Sequence, residues 1–181
     1  MINLRLPALL CASLLPAAAQ PPNQGEQLAP FYPTPESVVE RMLRLGELKP
    51  GEKMFDLGSG DGRVVIIAAD KFKADATGIE IDVDLYKQSS ERIKSMGLEK
   101  RARIVNGDIL KQDFSSANLL TVYLLPSSND KIRPMLEKQL RKGTRIVAHD
   151  FQFAGWKPVK EEHIEDDGEG RSHTLYLYVI Q

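Results

Sequence analysis

The chain has 181 residues, which suits one domain built around a single core. Its 24 Lys and Arg nearly balance 25 Asp and Glu, and the net charge of −1 excludes a broad electrostatic pull toward nucleic acid or an anionic membrane. With 3 His and 1 Cys, a cysteine-rich zinc site and an internal disulfide are excluded as well.

Taken in chain order, residues 1–19 read as a secretory signal peptide. Arg5 precedes an apolar stretch from Leu6 to Leu15, and Ala17-Ala18-Ala19 places the expected cleavage after Ala19. That stretch is too short for a comfortable membrane span, so no stable span is expected in the mature chain. Cys11 follows Leu10 instead of the small residue of a lipoprotein signal. An N-terminal anchor or a misassigned start is the alternative. The polar, proline-rich "QPPNQGEQLAP", residues 20–30, reads as a linker. "TPESVVERMLRLG" predicts a helix in which Thr34 caps the first amides, Pro35 takes the first helical position and Glu36 faces the positive end. Val38, Val39, Met42 and Leu43 share one face, and Gly46 is placed to close the helix.

From residue 53 two periods alternate. "KMFDLG", "ATGIEI", "ARIVNGD", "NLLTVYLLP" and "TRIVAHDF" predict five strands. "GRVVIIAADKF", "DLYKQSSERIKSM" and "DKIRPMLEKQL" predict helices among them. Strands alternating with helices imply right-handed crossovers and a mostly parallel α/β sheet. The end breaks the rhythm: "KPVKEEHIE" and "HTLYLYVI", joined by "DDGEG", predict an antiparallel hairpin.

The loop Gly58-Ser59-Gly60-Asp61-Gly62-Arg63 is the first sign of chemistry. A dinucleotide fingerprint has G-x-G-x-x-G, and here Arg63 stands where its third glycine belongs. No Gly-Lys-Ser/Thr follows, so it is not a P-loop. Asp56 ends the preceding strand and Asp61 lies within the loop, and two carboxylates repel a pyrophosphate. They suit a ligand with positive charge. S-adenosyl-L-methionine fits, with an ammonium, a sulfonium and no phosphate. Asp56 would attract the ammonium, and Gly58 and Gly60 would admit the ligand close to the backbone. Glu80, at the end of the second strand, can accept from both ribose hydroxyls, and the Asn106-Gly107-Asp108 end of the third strand offers an acceptor for the adenine amino group. Each acid taken alone also reads as a strand end or a helix cap.

On these residues the chain resembles class I methyltransferases. On "FYPTPESVVERML", "FDLGSGDGRVVI", "GIEID", "TVYLLPS" and "AHDF" followed by "WKP", it resembles the small lysine N-methyltransferases that act in mitochondria on the adenine nucleotide translocase and on the c-ring protein of ATP synthase. The likeness runs from about Phe31 to the C-terminus. It implies a Rossmann-like seven-stranded, mostly parallel sheet with a reversed last strand, helices on both faces and an N-terminal accessory helix. It implies a cofactor wall of Asp56, Leu57, Gly58, Ser59, Gly60, Glu80, Ile81, Asn106, Gly107, Asp108 and Ile109, with Tyr32, Pro33 and Thr34 as a lid. Tyr123, Leu124 and Pro126 fall where the substrate nucleophile sits, and Tyr123 also borders the cofactor. Within "AHDF", Asp150 reads as an amine acceptor and His149 as a proton carrier, or both as structural hydrogen-bonding groups.

The implied activity is transfer of a methyl group from S-adenosyl-L-methionine, leaving S-adenosyl-L-homocysteine, to an exposed lysine of a protein. The implied enzyme is a monomer without metal or nucleic-acid partner. Such a transfer needs nucleophile, methyl and sulfur in line, about 3–3.5 Å apart. It also needs a neutral amine, although lysine in solution titrates at about 10.4. Tyr123 and the carbonyls of Leu124 and Leu125 are expected to orient that amine. Leu125-Pro126-Ser127-Ser128 is not the Asn/Asp-Pro-Pro-aromatic block of adenine-methylating enzymes. Trp156 is expected to pack over the hairpin and "EEHIEDDGEGR" to be a solvated turn. A small-molecule methyltransferase and an exported, non-catalytic adenosine-binding module remain the alternatives. The leader points to export or membrane association, and the cofactor supply points to the cytoplasm.

Overall fold

The computed structural model describes residues 25–181; the expected leader and the first part of the expected linker lie outside them. Helix α1 spans Glu36–Leu45 and buries Val38, Val39, Met42, Leu43 and Leu45 along one side. Its N-terminus differs from expectation. Pro35 is the capping residue with no side-chain cap, because the Thr34 hydroxyl is engaged elsewhere. At the other end Gly46 stays right-handed and Glu47 takes the left-handed turn, with φ 49°.

The sheet then builds from β1 (Lys53–Leu57), β2 (Asp75–Glu80), β3 (Ala102–Asn106), β4 (Leu119–Val122), β5 (Arg145–His149), β6 (Lys160–Ile164) and β7 (His173–Val179). Between them run α2 (Arg63–Lys71), α3 (Val83–Ser95), a 3-10 turn at Ile109–Lys111 and α4 (Pro126–Gln139). The spatial order is β3-β2-β1-β4-β5-β7-β6. Pairs within β1 to β5 are parallel, while β7 runs antiparallel to both β5 and β6. The seven-stranded Rossmann-like sheet with its reversed last strand is therefore present, and that strand is inserted between β5 and β6.

Side chains alternate across the sheet as the two-residue strand period demands. Met54, Leu119, Val147, Leu175 and Leu177 pack with α1, α2 and α3 on one face. Leu57, Leu120, Val122, Ile146, Ala148 and Tyr178 pack with α4 on the other. Trp156 joins that second layer, against Phe153 and Tyr178, and its indole N–H donates to Glu137 Oε1 at 2.9 Å. The fourth strand is shorter than the sequence predicts. Pro126, with φ fixed near the helical value, starts α4 where the apolar run "YLLP" reads as extended. The described part of the expected linker lies on the domain: Leu28 is buried in the second core layer, and its carbonyl accepts from Ser128 Oγ.

Strand order reverses between β1 and β4, so crossovers leave on opposite faces there. The carboxyl ends of β1 and β4 consequently open a crevice.

Candidate active site

That crevice is a cavity of about 480 Å³, within the range of small-ligand sites. The β1–α2 loop forms its floor. Gly58 and Ser59 N–H groups both donate to Ile79 O, folding the loop over the end of β2. Gly60 has φ 53°, and a Cβ there would fall 2.5 Å from Cε2 of Phe31. A side chain at this position would therefore fill space between loop and lid. Glu80 receives the Gly60 N–H on Oε2 at 2.6 Å and the Asp82 N–H on Oε1 at 2.8 Å. Each oxygen keeps a lone pair for a further donor.

Asp56 lies deep in this floor and is 5 % exposed. Burial pushes its carboxyl up to about 7; the Thr121 hydroxyl, donating at 2.7 Å, works against that, and the nearby Glu80 and Asp61 carboxylates add to it. Asp61 behaves differently from the expectation drawn from its sequence position. Despite its partial burial, Arg63 holds its carboxyl below the ordinary range through Nε at 2.9 Å and Nη2 at 2.7 Å. Its charge is thus neutralised within the protein. Arg63 Nη1 also donates to Thr34 O at 3.0 Å, so the arginine that displaces the dinucleotide glycine fastens the loop to the lid.

Tyr32, Pro33 and Thr34 border the cavity, as do Gly58, Ser59, Gly60, Ile81, Gly107 and Ile109. Four expected site residues stand aside. Leu57 is packed in the core. Asn106 braces the end of β2, its Nδ2 donating to Glu80 O at 2.9 Å. Asp108 caps the 3-10 turn through Leu110 N–H, and Gly25 lies against its carboxyl. Pro126 begins α4. The Leu125 carbonyl is occupied too, accepting from Ser128 and Asn129 N–H groups in the first turn of that helix.

At the far side stand Tyr123, Leu124 and Phe151. The Tyr123 ring lies over His149 with centroids 3.9 Å apart, and its hydroxyl reaches Asp150 Oδ2 at 3.4 Å. Burial, with the Asp150 carboxylate behind it, pushes the Tyr123 phenol up to about 12, so the hydroxyl keeps its proton. Asp150 has φ 58°, a left-handed backbone that turns it out of the strand direction. Three cavity residues are not foreseen by the sequence reading: Arg171, Ser172 and His173. They belong to the acidic turn, which is more than a solvated connection. Asp167 is buried; its carboxylate accepts from the Glu169 and Arg171 N–H groups and from Arg171 Nε, and these together with His173 overcome burial to hold it well below the carboxylate range. Arg171 Nη1 then reaches the Tyr32 hydroxyl at 3.3 Å. Nothing local in "DDGEGR" signals this, since an acid-rich turn reads as solvated.

A sequence model of the ANTKMT methyltransferase domain matches residues 56–160, from the buried Asp56 to the start of β6. The chain belongs to this family. It is a class I methyltransferase that uses S-adenosyl-L-methionine. Among relatives, a protein-lysine N-methyltransferase of Saccharolobus islandicus (strain REY15A) is 41% identical over 152 residues, which is 83% of this chain and 93% of that protein. The Mus musculus lysine N-methyltransferase named for the c-ring protein of ATP synthase is 31% identical over 77% of this chain, which spans only 54% of the mouse protein. Among solved structures, an RNA methyltransferase from Salinibacter ruber in complex with S-adenosyl-L-homocysteine is 42% identical, with a TM-score of 0.76 over 82% of this chain and 94% of that one. The floor described above agrees with the family cofactor. Asp56 is a buried acid whose charge nothing among the described residues neutralises, and a cation beside it meets that need.

Proposed function

We propose that this methyltransferase acts on the side-chain amine of lysine in a protein, and that the residues around the cavity divide the work as follows. Asp56 faces the ammonium of the cofactor, Gly58 and Gly60 let its methionine part approach the backbone, and the free lone pairs of Glu80 take the ribose hydroxyls. Gly107 and Ile109 wall the adenine side, and Tyr32, Pro33 and Thr34 cover the site. When bound, S-adenosyl-L-methionine supplies an electrophilic methyl group on a sulfonium.

The observation that carries the lysine reading is the Tyr123–Asp150 pair beside aromatic rings at the cavity edge. An amine meets a carboxylate acceptor and the faces of Tyr32, Tyr123 and Phe151, all of which favour an approaching cation. Tyr123, protonated and tied to Asp150, offers a lone pair to an amine N–H and fixes its direction. Apolar Leu124 and Phe151 exclude water, which favours the neutral amine that attacks. The names of the Saccharolobus and mouse relatives support the same acceptor.

RNA is the second reading, since the Salinibacter relative carries that name. One assay decides. The purified chain is incubated with methyl-labelled cofactor and, separately, with lysate protein and total RNA. Label recovered as Nε-methyl-lysine, with RNA unlabelled and Asp56→Asn inactive, is the expected result. Label in RNA, or in neither polymer, overturns the lysine reading.

A further inference from the structure

We propose that His149, Asp150 and His173 form a binding site for one divalent transition-metal ion at the inner end of the cavity. The three donor atoms converge. His149 Nε2 lies 2.9 Å from His173 Nδ1, and His173 Nδ1 lies 2.9 Å from Asp150 Oδ2. The third side of the triangle, His149 Nε2 to Asp150 Oδ2, is 3.4 Å. Donors each about 2.1 Å from a shared ion stand roughly 3.0 Å apart at right angles and roughly 3.4 Å apart at tetrahedral angles. The triangle therefore already has the spacing of three ligands on one face of an ion.

The opposite atom of each residue is also held. Nδ1 of His149 meets Thr34 Oγ1 at 3.2 Å, and Nε2 of His173 meets Asp167 Oδ2 at 3.3 Å. Oδ1 of Asp150 accepts from the Thr174 N–H at 2.9 Å. A carboxylate on the far nitrogen keeps the proton of His173 on Nε2 and leaves the Nδ1 lone pair facing the triangle. Partners of this kind orient metal ligands and set their tautomers. The left-handed backbone of Asp150, φ 58°, is what turns its carboxylate toward the two imidazoles.

Two imidazoles and one carboxylate suit zinc, cobalt, nickel or iron and do not suit magnesium or calcium, which prefer all-oxygen sites. Access exists from the cavity, because His173 lines it and Asp150 is partly exposed. An ion here releases the protons that the cluster shares. It also draws on the carboxylate assigned above to the acceptor amine, so metal and acceptor compete.

The test uses the full chain, stripped with a chelator and dialysed. Zinc chloride is titrated by calorimetry, and cobalt chloride is followed by visible absorption. One equivalent should bind, about 100-fold more weakly in Asp150→Asn and in His173→Gln, the upper end of what loss of a ligand's partner already costs. His163→Gln, at an exposed histidine outside the cluster, should bind like the wild type. Should His173→Gln fail to fold, Asp150→Asn decides, since its position is partly exposed and its shape is kept. No saturable binding by the wild type, or equal affinity in the folded variants, overturns the proposal. Methyl transfer is not read, so this result and that of the labelling assay stand apart.

Discussion

Replacing Asp56 with Asn should stabilise the cofactor-free protein while destroying its use of the cofactor. The acid is buried, and its carboxyl moves from the ordinary 3.8 up to about 7. A folded-state value raised above the unfolded one means that the associated stability is fully present below pH 3.8 and is lost as pH rises through about 7. At 1.36 kcal/mol per unit the loss is of the order of 4 kcal/mol once the acid is fully ionised. Roughly 2–3 kcal/mol of it falls between pH 5 and pH 8. Asn keeps an oxygen for the Thr121 hydroxyl and carries no charge, so it escapes that loss. Thermal melts followed by circular dichroism at both pH values read the effect. For a domain of this size the Tm advantage of Asp56→Asn should widen by about 5–10 °C from pH 5 to pH 8. Every other titrating group is common to both proteins and cancels in the difference. An advantage that is equal at the two pH values would refute the burial argument. Calorimetry on the same samples should show wild-type affinity for S-adenosyl-L-methionine rising up to about tenfold per pH unit below 7, and at least about 30-fold weaker binding in the variant.

Gly60→Ala should weaken cofactor binding at least about tenfold and cost about 1–3 kcal/mol, because the position has φ 53° and the new methyl group meets Phe31; fluorescence titration and denaturant melts check both. Tyr123→Phe should lower kcat/KM for the protein substrate by about tenfold and leave cofactor affinity alone, and an unchanged kcat/KM removes the hydroxyl from the account. Arg63→Ala should destabilise by about 2 kcal/mol, leaving the Asp61 charge half-buried and the lid carbonyl of Thr34 without its donor. Adding Asp61→Asn should recover part of that loss, and a double-mutant cycle with additive effects would show the pair to be uncoupled.

Much of this architecture is legible in local pattern. The apolar face of α1, the period of two in β1 to β5 and the glycine-dense turn after β1 each arise from neighbours in the chain. Parallel strands with right-handed crossovers place their carboxyl ends on one edge, so Asp56 and Glu80 can be assigned to one site from the order of elements alone. Other features need the folded chain. Whether Asp61 is free or neutralised depends on the direction taken by Arg63, and whether Asp108 faces the cavity depends on where Gly25 comes to rest. The terminal hairpin is visible as two strands and a turn, yet its insertion between β5 and β6 is not. That insertion sets His149 opposite Leu175 and carries His173, 24 residues away, onto His149. Sequence counts three histidines; tertiary structure joins two of them with Asp150, because contact between distant segments is settled by which surfaces bury each other and leaves no periodic trace in either segment.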